Sequence, residues 1–305
     1  MLEEIAAESA GTPLAARALY LLGTNARERG DAEEALAYFE RARAQAADAE
    51  VAAAAWSAAG ATQLEMERYE EAAASFEALG EQFPTSPYAE NLGTALAEVY
   101  YELGRYERAA EELRSRMESL SGQTRTRAVF LLAESYTQMR ETEAAREQYR
   151  RLLDDGSLPG VEPYRRPARY GRAWNEWFAG RPAAAIPSFQ AVRSGHTDDL
   201  ALRATYHEAV AHLRTGSLEA ARGLFRQVVD TWPQSRFAAT AQYEIGTIAY
   251  RQQAYDEAAA AFRAVLRREG AARRGDAAYW LGNAYLAAGA LDRALEAYNR
   301  AIRQD

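Results

Sequence analysis

The sequence predicts an all-α protein, a solenoid of about eight helical hairpins, and three observations lead to this class. In eight places, 36 to 40 residues apart, an alanine stands four positions before an aromatic residue or leucine. A small residue precedes each of these alanines by twelve positions. Apolar residues recur at helical spacing, and a repeat of about 20 to 50 residues is typical of solenoids. The pairs are Ala35/Phe39, Ala72/Phe76, Ala109/Leu113, Ala145/Tyr149, Ala185/Phe189, Ala221/Phe225, Ala258/Phe262 and Ala294/Tyr298, and the small residues are Gly23, Gly60, Ala97, Ala133, Ala173, Ala209, Gly246 and Gly282.

Each copy predicts two helices joined by a short turn. The first helix carries the small residue, and the second carries the alanine with its large partner. Small side chains allow paired helices to approach closely, and large side chains fill the space beside them. Five copies have a glycine after the first helix, and glycine most easily takes the positive φ that ends a helix. These glycines are Gly30, Gly104, Gly180, Gly216 and Gly289.

The junctions between copies combine helix stops and helix starts. In "FPTSPYA", Pro84 cannot continue the preceding helix, Ser86 can cap the next one, and Pro87 suits its first turn. The segment "WPQSRFA" repeats this arrangement with Ser235 as the cap. The predicted order through the chain is therefore first helix, turn, second helix and junction.

Two copies closely match one repeat motif, W-x2-L-G-x2-Y, then A-x3-F-x2-A, then P. The second copy matches it at Trp56, Gly60, Ala72, Phe76 and Pro84, and the last copy at Leu281, Gly282, Tyr285, Ala294, Tyr298 and Ala301. The chain thus resembles the tetratricopeptide repeat family, which implies a right-handed superhelix with first helices on its concave surface. The lengthened repeats and the junctions resemble a bacterial cell-envelope subgroup. That subgroup includes the lipoprotein of the outer-membrane β-barrel assembly machinery and the coordinator of the Tol–Pal complex.

One segment interrupts the regular spacing. The fourth and fifth alanines are 40 residues apart, and "DDGSLPGVEPYRRPARY" between them holds three prolines. In the fifth copy, Arg172 replaces the expected leucine, and we expect Pro187 to kink or shorten the second helix. We predict an array of repeats 1–4 at 1–153 behind the tail of a partial repeat, a loop or joint at 154–167, and repeats 5–8 at 168–305. The alternative is a locally irregular superhelix without relative motion.

The beginning of the chain aligns with the middle of a repeat. The segment "LEEIAAESAGTPLA" matches "FEALGEQFPTSPYA", which places Leu2 inside a second helix. We therefore expect the chain to be a piece of a longer protein in which Met1 is not the natural start. The opening residues do not have the pattern of a signal peptide, and we expect any targeting segment to lie outside this sequence.

Composition argues against several functional classes. The 305 residues carry a formal net charge of −8. The pI near 5.2 argues against a nucleic-acid partner, RNA included, because phosphate binding needs clustered cations. All 36 basic residues are arginine and cysteine is absent, which excludes disulfides and thiolate sites. This composition fits the cytoplasm and the periplasm, and the envelope resemblance favours the periplasm. No apolar run approaches the roughly 18 residues of a membrane helix.

The sequence does not predict an enzyme, a metal site or a cofactor. His196 lies in a polar loop. His207 and His212 are five positions apart on one predicted helix, so they point in different directions and cannot share a metal ion. We expect the numerous carboxylates to lie on solvated helix faces. No glycine-rich phosphate loop and no Ser/His/Asp set is present.

The resemblance assigns candidate partner-binding residues, because bound peptides in this family contact particular first-helix positions on the concave surface. Aromatic residues occupy many of these positions here, and they are common anchors in interfaces. The alternative is that the tyrosines pack partly between repeats and that Trp174 and Trp177 are core residues of the fifth copy. The candidates are Tyr20, Tyr101, Phe130, Tyr170, Trp174, Trp177, Arg203, Tyr206, Arg214, Tyr243, Tyr250, Arg251, Tyr279 and Asn283.

Charges divide along the same predicted surface. Its first half carries four glutamates, and the arginine candidates lie in its second half, so we expect an extended segment to be oriented by its own charges. Chaperone-binding members of the family hold a C-terminal carboxylate with lysine, asparagine and arginine. The chain lacks lysine, which argues against an Hsp70 or Hsp90 adaptor. The four glutamates are Glu65, Glu98, Glu102 and Glu134.

Two functions remain open at this stage. The first is a non-catalytic scaffold that holds a peptide segment or a partner protein in its groove, in bacterial envelope assembly or coordination, without membrane contact of its own. The second is an accessory or regulatory part of a larger enzyme or secretion machine, serving as a spacer or an oligomerisation surface. A scaffold should lose its partner when groove tyrosines are replaced, whereas a spacer should not.

Overall fold

The computed structural model describes residues 1–9, 11–89, 92–268 and 273–302. In these ranges the regular elements are seventeen α-helices and one short 3-10 helix at Pro87–Ala89, so the predicted all-α class is confirmed. The chain divides into two compact units, unit 1 at Met1–Tyr164 and unit 2 at Arg165–Asp305. In the described ranges, no helix is long and apolar enough to cross a membrane.

The helices alternate as first and second members of hairpins, behind the single helix α1. The helices up to the proline-rich segment are α1 (Leu2–Glu8), α2 (Pro13–Glu28), α3 (Ala32–Gln45), α4 (Ala49–Glu65), α5 (Tyr69–Gln82), α6 (Leu92–Glu102), α7 (Tyr106–Arg116), α8 (Gly122–Gln138) and α9 (Thr142–Leu153). The helices after it are α10 (Glu162–Phe178), α11 (Pro182–Arg193), α12 (Asp199–Arg214), α13 (Leu218–Thr231), α14 (Arg236–Arg251), α15 (Tyr255–Leu266), α16 (Arg274–Ala287) and α17 (Leu291–Ile302).

In four hairpins a glycine of the first helix faces a ring of the second helix sixteen residues later. A Cβ built on Gly246 would lie 2.7 Å from the ring of Phe262, and one on Gly23 would lie 2.5 Å from that of Phe39. Both phenylalanine side chains are buried. Gly60 and Gly282 meet Phe76 and Tyr298 in the same way. In these four copies the small residue lies at a close approach of the two helices, as predicted.

All eight hairpin turns share one backbone conformation. The residue seven positions after the small residue has φ between 59° and 87° in every copy. The N–H of the next residue donates to the carbonyl five positions earlier, at 2.7 to 2.9 Å. This is the Schellman motif, which satisfies carbonyls at the end of the first helix. Five of these residues are the predicted glycines, and the other three are Glu67, Arg140 and Gln253.

Helices extend further than expected around the proline-rich segment. Helix α10 begins at Glu162, so residues 162–167 of the predicted loop are helical. Pro163 lies in the first turn, where a missing N–H costs nothing. The non-helical part is attached to unit 1, because Thr126 Oγ1 donates to the Pro159 carbonyl at 2.6 Å. Helix α11 continues through Pro187 and has 12 residues, as α9 does, so that proline does not shorten it.

Polar contacts about one repeat apart join neighbouring hairpins within each unit. In unit 1, Arg68 pairs with Glu33, and Arg105 pairs with Glu70 at 2.9 Å. These two pairs are themselves 37 residues apart. In unit 2, the Trp232 Nε1–H of the junction "WPQSRFA" donates to a carbonyl 35 residues earlier, at 2.8 Å. The contacts are exposed and individually weak. They nevertheless recur at the same repeat spacing as the buried pairs of glycine and aromatic residue.

Candidate functional site

First helices of three consecutive hairpins in unit 1 line a groove of about 800 Å³. Helices α4, α6 and α8 each contribute to its wall. Its charged residues are four glutamates and one arginine, and we call it the acidic groove. These residues are Glu65, Glu67, Glu98, Glu102 and Arg127.

The carboxylates of the acidic groove are only partly neutralised. Glu98 pairs with Arg127, and Glu65 lies 3.6 Å from an arginine of α2. Within the described residues, Glu67 and Glu102 have no arginine within 4.0 Å. Burial raises the pKa of the Tyr69 phenol in this groove, and nearby carboxylates, Glu102 first, raise it further. The groove therefore presents a negative potential.

A buried hydroxyl also lines the acidic groove. Thr94 of α6 is 7% exposed, and its Oγ1 has no hydrogen-bond partner within the described residues. A buried hydroxyl without a partner costs free energy because it has lost its bonds to water. Among the residues that the structure describes, Thr94 therefore keeps unused hydrogen-bonding capacity.

Glu134, the fourth predicted glutamate, does not line the acidic groove. Its Oε1 accepts a hydrogen bond from the Tyr149 hydroxyl at 2.7 Å, and that hydroxyl lies 2.9 Å from Thr137 Oγ1. Burial raises the pKa of Glu134 to about 7, an effect that the Tyr149 hydrogen bond partly opposes. The carboxyl therefore holds its proton to a much higher pH than an exposed glutamate does.

The three aromatic candidates of unit 1 are half-buried and contact neighbouring rings. Tyr20 lies 5.9 Å from a phenylalanine of α3, between ring centroids. Tyr101 lies 5.4 Å from Tyr106 at the start of α7, and burial followed by the Glu134 charge raises its pKa. Phe130 lies 5.3 Å from the ring of Tyr164. Each ring therefore packs on one side against a neighbouring ring and remains partly exposed.

In unit 2, rings from three hairpins form one aromatic cluster. Its centre is His207 of α12, whose ring lies 4.6 Å from Trp174. Trp177 lies 6.1 Å from Trp174, and the Arg214 guanidinium lies 5.9 Å from the Trp177 ring centroid. The ring members within 6.3 Å of His207 are Tyr170, Trp174, Phe189, Tyr206 and Phe237.

His207 is a packing residue in this cluster. Burial, and then the positive charges of Arg203 and Arg236, lower its pKa to about 4, so the imidazole is neutral at pH 7. Arg203 itself pairs with Asp199 at 2.6 Å. Within the described residues, no group of three His, Cys, Asp or Glu side chains is placed to hold a metal ion.

The remaining candidates of unit 2 differ widely in exposure. Tyr243 is 4% exposed, with the Arg273 guanidinium 4.0 Å from its ring centroid, whereas Tyr279 is 52% exposed. Tyr250 is half-buried against Trp280, 5.2 Å between centroids. Arg251 is exposed. Asn283 Oδ1 accepts a hydrogen bond from the Tyr298 hydroxyl at 2.7 Å. Replacing Tyr243 would therefore disturb packing as well as surface.

The two units carry opposite formal charges, which the whole-chain value conceals. Unit 1 has 30 acidic residues and 16 arginines, a formal charge of −14. Unit 2 has 14 acidic residues and 20 arginines, a formal charge of +6. The two values add to the −8 of the chain. Counting charges on either side of the interrupted spacing would have found this division from sequence alone.

Stacked two-helix repeats with a groove along their first helices define the class of helical-repeat proteins. The chain belongs to the tetratricopeptide repeat family, whose members are generally non-catalytic scaffolds. One model of the tetratricopeptide repeat matches residues 2–50, 20–87, 170–236 and 237–305, and a second matches 127–155. No curated protein sequence is significantly similar to the chain.

Solved structures show the same fold at low sequence identity. A tetratricopeptide repeat protein from Parabacteroides merdae is 16% identical over 92% of this chain and 98% of its own, with a TM-score of 0.58. The apo form of the quorum sensor NprR from B. thuringiensis is 16% identical over 99% of this chain and 91% of its own, with a TM-score of 0.64. PilF of Pseudomonas aeruginosa is 17% identical over 75% and 97%, with a TM-score of 0.55.

Proposed function

We propose that the chain is a non-catalytic interaction scaffold that binds a peptide segment or a partner protein along its first helices. The observation that carries this proposal is the acidic groove, because three successive first helices line one concavity of about 800 Å³. A volume of this order accommodates several side chains of an extended segment. Exposed Tyr279 offers an anchor of the kind that interfaces favour.

The family and the junctions support the class and the setting of this proposal. Tetratricopeptide repeat proteins typically bind protein or peptide partners. The bacterial envelope setting rests on the junctions "FPTSPYA" and "WPQSRFA", which resemble those of envelope members. The three solved structures described above are each less than 25% identical, so they support the fold alone.

A second candidate function is an oligomerisation or spacer segment of a larger assembly. The opposite formal charges of the two units favour it, since −14 and +6 attract when two copies meet. In this case the acidic groove would have no partner other than the chain itself.

Site-specific photocross-linking in the host cell separates the two functions. A photoreactive phenylalanine replaces Leu64 in the acidic groove or Tyr279 in unit 2, and matched control sites are Glu111 of α7 and Arg263 of α15, both exposed on second helices. We expect adducts with one defined partner from the first two sites and not from the controls. Equal yields from all four sites, or no adducts from any, would contradict the scaffold, and adducts only between copies would favour the oligomerisation segment.

A further inference from the structure

The acidic groove also indicates the chemistry of its occupant. We infer that it binds a cationic segment of a partner protein, a stretch of chain that carries arginine or lysine side chains. This inference rests on the proposed scaffold function and specifies the partner class for one groove. Three features of the described residues carry it: unneutralised carboxylates, an unsatisfied buried hydroxyl, and the placement of charges along the groove.

The first feature is the charge. Four carboxylates face one arginine in the groove, and Glu67 and Glu102 have no arginine within 4.0 Å in the described ranges. Unit 1 carries a formal charge of −14, so the surroundings strengthen the local potential. Glu67 and Glu102 are exposed, so the attraction of an entering cation comes from several carboxylates acting together and should weaken with added salt. An anionic segment would be repelled.

The second feature is independent of charge. Thr94 is 7% exposed, lines the same groove, and keeps an Oγ1 without a partner within the described residues. A hydroxyl both donates and accepts, and because Oγ1 is itself buried, a segment bonds to it only when the side chains that cover it move aside. The free energy lost by leaving this group unsatisfied is then recovered.

The third feature is the arrangement of the carboxylates. Glu98 and Glu102 are four positions apart on α6, so they lie on the same face, one turn from each other. Glu67 lines the same groove from the turn between α4 and α5. Charges distributed in this way suit a chain with several cationic side chains better than a compact metal ion. Arginine fits best, because its planar fork binds carboxylates in a bidentate manner.

The test uses the whole protein and a labelled dodecapeptide, four repeats of Arg-Ala-Ser, with Gln-Ala-Ser and Glu-Ala-Ser peptides for comparison. Fluorescence anisotropy at low salt should show that the arginine peptide binds and that the acidic peptide does not. The double variant Glu67→Gln/Glu102→Gln should weaken binding at least tenfold, since two close charges are removed. The matched control is Glu107→Gln/Glu111→Gln on α7, with the same change in net charge and exposed side chains outside the groove; it should change affinity less than twofold.

Two further variants make the sign of the effect testable. Arg127→Gln removes the one cation among the described lining residues and should tighten binding of the arginine peptide several-fold. Thr94→Val keeps the shape of the side chain and removes the unsatisfied hydroxyl. It should raise the melting temperature of the free protein and weaken peptide binding about threefold or more. A purely structural role for Thr94 predicts no loss of affinity.

Several results would overturn the inference. If the control weakens binding as much as the groove variant, the attraction belongs to the general charge of unit 1 and not to the groove. If the Gln-Ala-Ser peptide binds as well as the arginine peptide, or if neither binds, the cation preference is wrong, while the cross-linking experiment still decides the scaffold separately. If sedimentation shows a salt-sensitive dimer that the groove variant dissociates, the occupant is a second copy and not a partner protein.

Discussion

Replacing Gly216 by alanine tests whether the hairpin turns depend on the left-handed conformation. Gly216 follows α12 with φ of 80°, and a Cβ built on it has no heavy atom within 4 Å. The cost of the substitution therefore comes from the backbone alone. A non-glycine residue in this region costs about 1 to 2 kcal/mol. Alanine also lowers the entropy of the unfolded chain, which returns about 0.4 to 1 kcal/mol. The expected net destabilisation is about 1 kcal/mol.

Gly223 provides the matched control in the next helix. It is exposed on α13, has no positive φ, and a Cβ on it likewise has no neighbour within 4 Å. Gly223→Ala should stabilise unit 2 by about 0.5 to 1 kcal/mol, because alanine is the better helix former. Gln253→Gly should stabilise it by about 0.5 kcal/mol, because glycine relieves the strain at φ of 61°.

The assay is urea unfolding of the full chain, followed by far-ultraviolet circular dichroism. The three variants should move the midpoint in the stated directions with little change in slope. The reasoning fails if Gly216→Ala leaves the midpoint unchanged or raises it. It also fails if Gly223→Ala lowers the midpoint as much as Gly216→Ala does, because the turn would then have no special requirement.

Two further predictions concern ionisable groups, each checked by melting temperature across pH. Folding raises the pKa of Glu134 from 4.5 to about 7. Its contribution to stability is therefore greatest below pH 4.5 and declines as the pH rises to 7. The Glu134→Gln variant should not show this decline, and at pH 8 it should be more stable than the parent protein by up to about 3 kcal/mol. An equal difference at pH 5 and pH 8 would contradict this. Asp198 pairs with Arg166 and caps α12 by accepting from the Ala201 N–H at 2.9 Å; the Arg166 hydrogen bond first, and then the Ala201 one, lower its pKa. Asp198→Ala should cost about 1 to 2 kcal/mol at pH 7, an effect that fades as pH falls below about 4, and an unchanged melting temperature would refute it.

The repeat period predicts the hairpins because two buried positions per copy must meet. Gly246 and Phe262 can only pack if both helices keep their register, so their spacing is visible in the sequence. The three turns that lack glycine could not be recognised from the sequence by a turn residue. Arg140 takes the left-handed conformation in the turn between α8 and α9. The packing of these two helices against each other overrides the local preference of arginine there. The same override explains why α11 continues through Pro187.

The candidate site was only partly readable from sequence. Helical spacing placed Glu98 and Glu102 on one face, and the structure brings both into one groove. Thr94 was not singled out, because its missing hydrogen bond depends on how neighbouring hairpins bury it. Tyr243 and Tyr279 occupy equivalent repeat positions, yet one is covered by an arginine side chain and the other is half exposed. Motif position alone does not determine exposure.

The division of charge between the units affects how the protein adsorbs to ion-exchange resins. The pI near 5.2 makes the whole chain an anion at pH 7, so flow-through would be the usual expectation on a sulfonate column. Residues 165–305 nevertheless carry an excess of six positive charges, and adsorption depends on the surface that meets the beads. Both sulfonate and quaternary ammonium beads should therefore retain the protein at low ionic strength. At about 0.1 M salt the screening length is about 10 Å, and the protein should elute from the sulfonate beads first.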